Sequence, residues 1–242
     1  MLIQAALNGG RRREEHAAIP VTPEELGASA RECVAAGAGA FHFHVRGRDG
    51  RESLEPQDVS AAVNAVRAAA TKTPLGVSTG AWILNDVKRR YETVARWRAL
   101  PDYASVNFKE EGATELAELL LSRGIGIEAG FTSTDGVETF VASGLAARCL
   151  RILIEPLEEK TGPAMETVAR IEALLDRASV KLPRLLHGFH AAAWAVIDAA
   201  TERGYDTRVG FEDVLTLPDG SRAGTNAALV AEAVRRTRRA GY

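Results

Sequence analysis

The chain has 242 residues, 46% of them hydrophobic, and a formal charge of −2 from 30 basic and 32 acidic residues. That is enough apolar content for a sizeable core, and the charge balance excludes an extended nucleic-acid or anionic-membrane surface. No apolar run reaches the roughly 18 residues of a membrane span, the opening run Leu2–Leu7 is too short for a signal peptide, and Cys33 and Cys149 lack partners at metal-ligand spacing, so a cytoplasmic protein with structural thiols is expected.

A first short strand is predicted at 2–7 and ends at Asn8-Gly9, followed by the basic run Arg11–Arg13 and a helix over 23–36. Thr22-Pro23-Glu24-Glu25 opens that helix with proline at its first position and acids behind it. The second strand, 40–46, carries His42 and His44. Side chains two apart on a strand share a face, so the two imidazoles look the same way while Phe41, Phe43 and Val45 take the other side. The turn Gly47-Arg48-Asp49-Gly50 follows directly, which puts both histidines near the strand's carboxyl end.

A helix at 57–71 leads to strand three, 74–78, which runs into Ser78-Thr79-Gly80. Next come a helix at 85–98, strand four at 103–107 ending Ser105-Val106-Asn107, and a helix at 113–122. Asp86 and Thr114 suit early helix positions. Strand five, 125–128, ends at Ile127-Glu128; strand six, 150–154, runs into Glu155; strand seven, 184–187, ends at His187. Helices at 136–146, 164–178 and 191–203 alternate with them, and a last strand, 206–210, precedes Phe211-Glu212-Asp213 and a helix at 224–239. Eight strands alternating with eight helices predict a (β/α)₈ TIM barrel, a single domain over 1–242. An open doubly wound sheet is disfavoured, because Asn8-Gly9-Gly10-Arg11 lacks the spacing of a dinucleotide-binding turn.

In such a barrel functional groups collect at the carboxyl ends of the strands. Asn8, Arg46, Ser78, Thr79, Ser105 and Asn107 line that mouth as candidate substrate-binding residues. Strand eight lies beside strand one and strand one beside strand two, so Glu212 can approach His42 and His44. A His₂Glu set leaves coordination positions open, as a catalytic metal site requires. Zinc is the expected ion, and iron(II) or manganese also suits these ligands. Asp213, beside Arg208, is the candidate base, and both neighbouring charges should acidify it. The plainer readings are a pair of buried histidines satisfied by backbone carbonyls, and a structural ion pair of Arg208 with Glu128 or Asp213.

The assembled segments resemble the β-keto acid cleavage enzyme family, which includes 3-keto-5-aminohexanoate cleavage enzyme. The resemblance rests on Ala5-Ala6-Leu7-Asn8-Gly9, His42-Phe43-His44-Val45-Arg46 with Asp49-Gly50, Val77-Ser78-Thr79-Gly80, Ser105-Val106-Asn107-Phe108, Gly126-Ile127-Glu128 and Arg208-Val209-Gly210-Phe211-Glu212-Asp213, and it covers almost the whole length. It implies a zinc-dependent, homo-oligomeric TIM barrel that reacts a β-keto acid with acetyl-CoA to give acetoacetate and a new acyl-CoA. It further implies His42, His44 and Glu212 as zinc ligands, and Asp213 as the base that generates a carbon nucleophile from acetyl-CoA. Arg208 and Glu128 would hold Asp213, with Ser78 and Asn107 near substrate. The Arg11–Arg13 run would offer a phosphate contact to the CoA arm. Where the aminohexanoate-cleaving members place a glutamate close behind the first strand's glycine, this chain has arginines, so a neutral or anionic β-keto acid is expected.

Two other readings remain open at this level. A metal-dependent amidohydrolase also uses a His-x-His strand, but places it first and needs further histidine ligands, for which His187 alone is well placed. A catalytically inactive metal-binding barrel would have no need to keep His42, His44, Glu212 and Asp213 together.

Overall fold

The computed structural model of the chain describes residues 1–239 and contains a closed barrel of eight parallel strands in the order of the chain. The elements are β1 (Ile3–Ala6), α1 (Pro23–Ala36), β2 (Ala40–Phe43), α2 (Pro56–Ala69), β3 (Leu75–Ser78), α3 (Val87–Ala95), β4 (Tyr103–Asn107) and α4 (Ala113–Ser122). They continue with β5 (Gly126–Phe131), α5 (Asp135–Ser143), β6 (Arg151–Ile154), α6 (Thr161–Arg177), β7 (Arg184–Leu186), α7 (Ala193–Glu202), β8 (Asp206–Val209) and α8 (Asn226–Arg239). The predicted (β/α)₈ architecture is therefore observed. No helix among the described residues is long and apolar enough to cross a membrane.

Local chemistry sets the helix ends. Thr22 and Glu25 form a reciprocal capping box at the start of α1, and Gly37 closes it at φ 107°, a left-handed conformation that glycine adopts without steric cost. Asp86 caps α3 by accepting from the Arg89 amide.

Two strand ends, those of β2 and β5, differ from expectation by more than one residue, and both displacements shape the site. β2 stops at Phe43 because Asn8 takes over the pairing: its Oδ1 accepts from the His44 amide at 2.8 Å and its Nδ2 donates to the His44 carbonyl at 2.9 Å. A side-chain amide thus replaces a neighbouring strand. β5, in contrast, runs on to Phe131, held by pairing of Asn107 with Gly130 and of Phe131 with Ile154. Glu128 is therefore not at a strand end. It lies three residues before it, deep inside the barrel.

Phe41, Phe43, Val77, Val106, Ile127, Ile152, Leu186 and Val209 belong to the apolar core between strands and helices. Residues of the opposite parity fill the barrel, and many are polar: Gln4, His42, Ser78, Tyr103, Glu128, Arg151, His187 and Arg208 are all buried. The lower part of this interior is a connected polar network. Gln4 Nε2 donates to Glu128 Oε1 at 2.7 Å and to the Tyr103 hydroxyl at 3.0 Å, Arg151 pairs with Glu128 at 2.9 Å, and the Tyr103 hydroxyl donates to the Phe41 carbonyl. The network forms a polar floor beneath the mouth.

Gly210 is fixed by close approach, since a Cβ there would run into the backbone of Ala6 on the adjacent β1. Gly210→Ala is therefore expected to destabilise the fold by about 3 kcal/mol, lowering the thermal unfolding midpoint by roughly 10 °C. An unchanged midpoint by circular dichroism would show that the β1–β8 seam can open without cost.

Candidate active site

At the carboxyl end of the barrel His42, His44 and Glu212 converge, with one ligand atom from each lying within 4.8 Å of the others. His44 Nε2 is 3.4 Å from Glu212 Oε1, and His42 Nε2 is 3.8 Å from Glu212 Oε2. Gly9 makes room for this carboxylate, because any side chain there would collide with the Glu212 stem, and its φ of 56° is itself a glycine conformation. The donor set fits a divalent ion: two imidazole nitrogens and a carboxylate within reach of one centre, with Glu212 Oε2 buried and unpartnered among the described residues. His42, His44 and Glu212 could hold such an ion.

Electrostatics separate these groups. Burial drives the His42 imidazole well below its ordinary range, so it is a neutral donor. Burial acts on His44 in the same direction, but the Glu212 and Glu52 carboxylates outweigh it and push the ring up to about 9. Glu212 would be raised by burial, yet Arg208 and then His44 outweigh it and hold its carboxyl well below the usual range.

Glu52 is a residue that motif reasoning missed. Its Oε1 accepts from His44 Nδ1 at 2.5 Å and from Trp82 Nε1 at 3.1 Å, which fixes the ring with Nε2 turned to the mouth. The signal was present in the sequence: the Asp49-Gly50 turn reverses the chain, and Glu52 returns opposite Arg46 in an antiparallel bridge.

Arg208 is 1% exposed and is the pivot of the second half of the site. Its Nη2 donates to Glu212 Oε1 at 2.9 Å and to Asp213 Oδ1 at 2.7 Å, while Nε reaches the same Asp213 oxygen at 3.2 Å. Asp213 Oδ2 is left buried and without a partner among the described residues. The acidification of Asp213 expected from a dication and Arg208 together is not produced by Arg208 alone. Burial raises its carboxyl above the ordinary value and outweighs Arg208.

The remaining candidates divide. Glu128 makes no hydrogen bond or ion pair with Asp213 among the described residues; its Oε1 takes both Gln4 and Arg151 in the floor and its Oε2 is buried without a partner, so it does not hold the candidate base. Asn8 spends both amide hydrogens on the Pro20 and His44 carbonyls, so it supports His44 and does not face substrate. Thr79 donates its hydroxyl to the Ser105 carbonyl at 2.7 Å and likewise serves the backbone. Arg46 donates to the carbonyls of Gly9 and Arg11, tying down the loop after β1. Asn107 donates to Glu110 at 3.0 Å, Ser78 at the end of β3 accepts from the Gly80 amide at 3.4 Å, and Ser105 lies two residues before the end of β4. In the basic run Arg13 is paired with Glu25, and Arg11 bonds Glu15 and the Glu212 carbonyl. Arg12 has no side-chain partner among the described residues and lines a cavity of about 610 Å³ with Arg46, Glu52 and Trp82.

Comparison with known proteins gives this geometry a context. A family model described as beta-keto acid cleavage enzyme matches residues 1–117 and 111–242. The 3-keto-5-aminohexanoate cleavage enzyme of Fusobacterium nucleatum subsp. nucleatum is 24% identical over 256 aligned positions, covering 100% of this chain and 92% of the relative. Among solved structures, ObcA in binary complex with oxaloacetate superposes with a TM-score of 0.65, and ObcA in ternary complex with a C4-CoA adduct and oxalate with 0.67, both at 19% identity over 90% of this chain. The chain spans 63% of the length of those ObcA chains, and the likeness is one of fold.

Because Glu52 fixes the His44 ring, Glu52→Gln is expected to weaken retention of a divalent ion about 10- to 100-fold while leaving the chain folded. Competition with a chromophoric chelator measures this, and unchanged affinity would remove Glu52 from the support of the site.

Proposed function

The chain belongs to the beta-keto acid cleavage enzyme family, and from that premise we propose that it converts a β-keto acid and acetyl-CoA into acetoacetate and a new acyl-CoA, with zinc held by His42, His44 and Glu212. The observation that carries this reading is the meeting of those three side chains beside Asp213, whose Oδ2 is buried and unpartnered. The binding of oxaloacetate and of a CoA adduct by ObcA, which shares the fold, supports the two substrate classes.

The bound ion would act as a Lewis acid on the keto oxygen and so acidify the neighbouring carbon. The protein groups then have separable tasks. Asp213 Oδ2 takes a proton, and the products fix its source. Acetoacetate contains the acetyl carbons joined to the CH₂–COO⁻ unit of the keto acid, so the proton leaves C2 of the keto acid and not the methyl of acetyl-CoA. This replaces the expectation that the nucleophile comes from acetyl-CoA. The C2 carbanion attacks the thioester carbonyl and CoA departs as thiolate. The thiolate adds to the original keto carbon, and the bond from that carbon to C2 breaks. The electron pair returns to C2, which recovers its proton from Asp213. No atom is lost and no oxidant is needed.

Arg208 holds Asp213 through Oδ1 during both proton transfers. The raised affinity of the buried Asp213 for protons suits a group that must accept one and give it back. Ser78 and Asn107 would face the keto acid, and the cavity beside Trp82 would take its acyl chain. Its arginines favour a neutral or anionic chain over a cationic one.

The test is metal content together with an acetyl-CoA-dependent assay across β-keto acids of differing charge. Asp213→Asn is expected to keep the metal and lose about 10²- to 10⁴-fold in kcat, whereas His44→Ala should lose both metal and turnover. Full activity in Asp213→Asn would dismiss it as the base. Clear preference for an amino-substituted keto acid would overturn the substrate class.

A further inference from the structure

His187 ends the β7 strand region and is fully buried, yet neither ring nitrogen has a hydrogen-bond partner by strict geometry among the described residues. Two carboxylates flank it. Nδ1 lies 3.4 Å from Asp213 Oδ1 and Nε2 lies 3.5 Å from Glu155 Oε2. The segment around it closes on the same target. The His190 amide, with His190 at φ 52°, donates to the Asp213 carbonyl at 2.8 Å. Phe189 packs edge-on against His187, with centroids 5.1 Å apart, and sits under the Arg208 guanidinium at 5.9 Å. Residues 187–190 thus bond the backbone of Asp213, bring a ring nitrogen to 3.4 Å from its Oδ1, and cover the arginine that holds it.

We propose that His187 is a positioning residue for Asp213, an inference that rests on Asp213 being the base: as a neutral imidazole protonated on Nδ1, it fixes Oδ1 and leaves Oδ2 as the one oxygen that can reach substrate. A neutral ring has a single N–H to share between two acceptors. If that hydrogen sat on Nε2, a lone pair on Nδ1 would face the Asp213 carboxylate and push it away. The Nδ1–H form binds Asp213, and it requires Glu155 to offer a hydrogen to Nε2. Burial pushes Glu155 up to about 7, which makes a protonated carboxyl accessible there, while burial and Arg208 hold His187 down to about 3 and keep the ring uncharged. The order Glu155, His187, Asp213, Arg208 then satisfies each polar group in turn. It restricts the base in two directions, through the guanidinium on one side and the imidazole on the other.

The experiment compares three variants of the metal-loaded enzyme and reads the ring directly in the wild type. His187→Ala should lower kcat about 10²-fold, the scale of a misplaced reacting group, with metal content and KM for the keto acid near wild type. His187→Asn places an amide donor close to the former Nδ1 and should recover most of kcat; His187→Gln, whose donor lies towards Glu155, should not. Nitrogen-15 correlation spectra of the wild-type protein should show His187 neutral and protonated on Nδ1, a readout that does not depend on any variant folding. A ring protonated on Nε2, equal recovery by Asn and Gln, or a loss confined to KM would overturn the proposal. Full turnover in Asp213→Asn would dismiss the base itself, whereas an inactive Asp213→Asn beside a fully active His187→Ala would dismiss only the role of His187.

Discussion

The buried guanidinium of Arg208 is the constraint on which the upper barrel depends. An ion of that size cannot be left unpaired in a protein interior, and Arg208 answers this with two carboxylates from one short turn, Glu212 and Asp213. The pairing fixes the direction of both side chains. Glu212 is turned across the mouth towards His42 of β2 and His44 just past it, and Asp213 is turned towards His187 just past β7. Removing the arginine would leave two buried carboxylates side by side, so the same residue that organises the site also makes its burial tolerable.

This barrel differs from one filled with layers of branched apolar side chains. Its interior carries two charged tiers, the Gln4–Tyr103–Glu128–Arg151 floor, where one guanidinium meets one carboxylate, and the Arg208 tier above it, where one guanidinium meets two. Small residues make the arrangement fit. Gly76 leaves space for the Tyr103 ring, Gly210 lets β8 pass against Ala6, and Gly9 admits Glu212 to the mouth. Apolar packing is moved outward to the strand–helix interface, where Phe41, Phe43 and their neighbours sit. The stability of the barrel is therefore carried outside it, and the inside is released for polar chemistry.

Much of this is legible in the amino-acid order, for reasons that can be named. Alternation of short apolar runs with longer helical patterns depends on local chemistry, so the eight-fold repeat and caps such as Thr22 and Asp86 can be read directly. His42 and His44 share a face because strand geometry alone requires it, and Glu212 meets them because a closed barrel makes the first and last strands neighbours. What could not be read is pairing over long range at a given height. Glu128 looks like a strand-end residue until β5 is seen to continue to Phe131, which lowers it into the floor. Asn8 looks like a substrate contact until its amide is found replacing a strand partner for His44. His187 and Glu155 stand at the correct strand ends, but their relation to Asp213 depends on distances across the mouth that no local pattern encodes.

Adjacent carboxylates with opposite tendencies are the clearest consequence of this arrangement. Glu212 and Asp213 are neighbours in sequence, both are buried, and both touch Arg208, so composition would assign them one behaviour. Burial raises each, but Glu212 also faces the His44 ring just past β2, and Arg208 and His44 together reverse its shift. Asp213 faces, besides Arg208, a ring that burial keeps neutral, and for it burial prevails. One carboxylate is thereby held ionised and the other inclined towards its protonated form, the division that the proposed roles of metal ligand and base call for. The division follows from which strand each side chain faces, β2 or β7, and that choice is made by a single turn after β8.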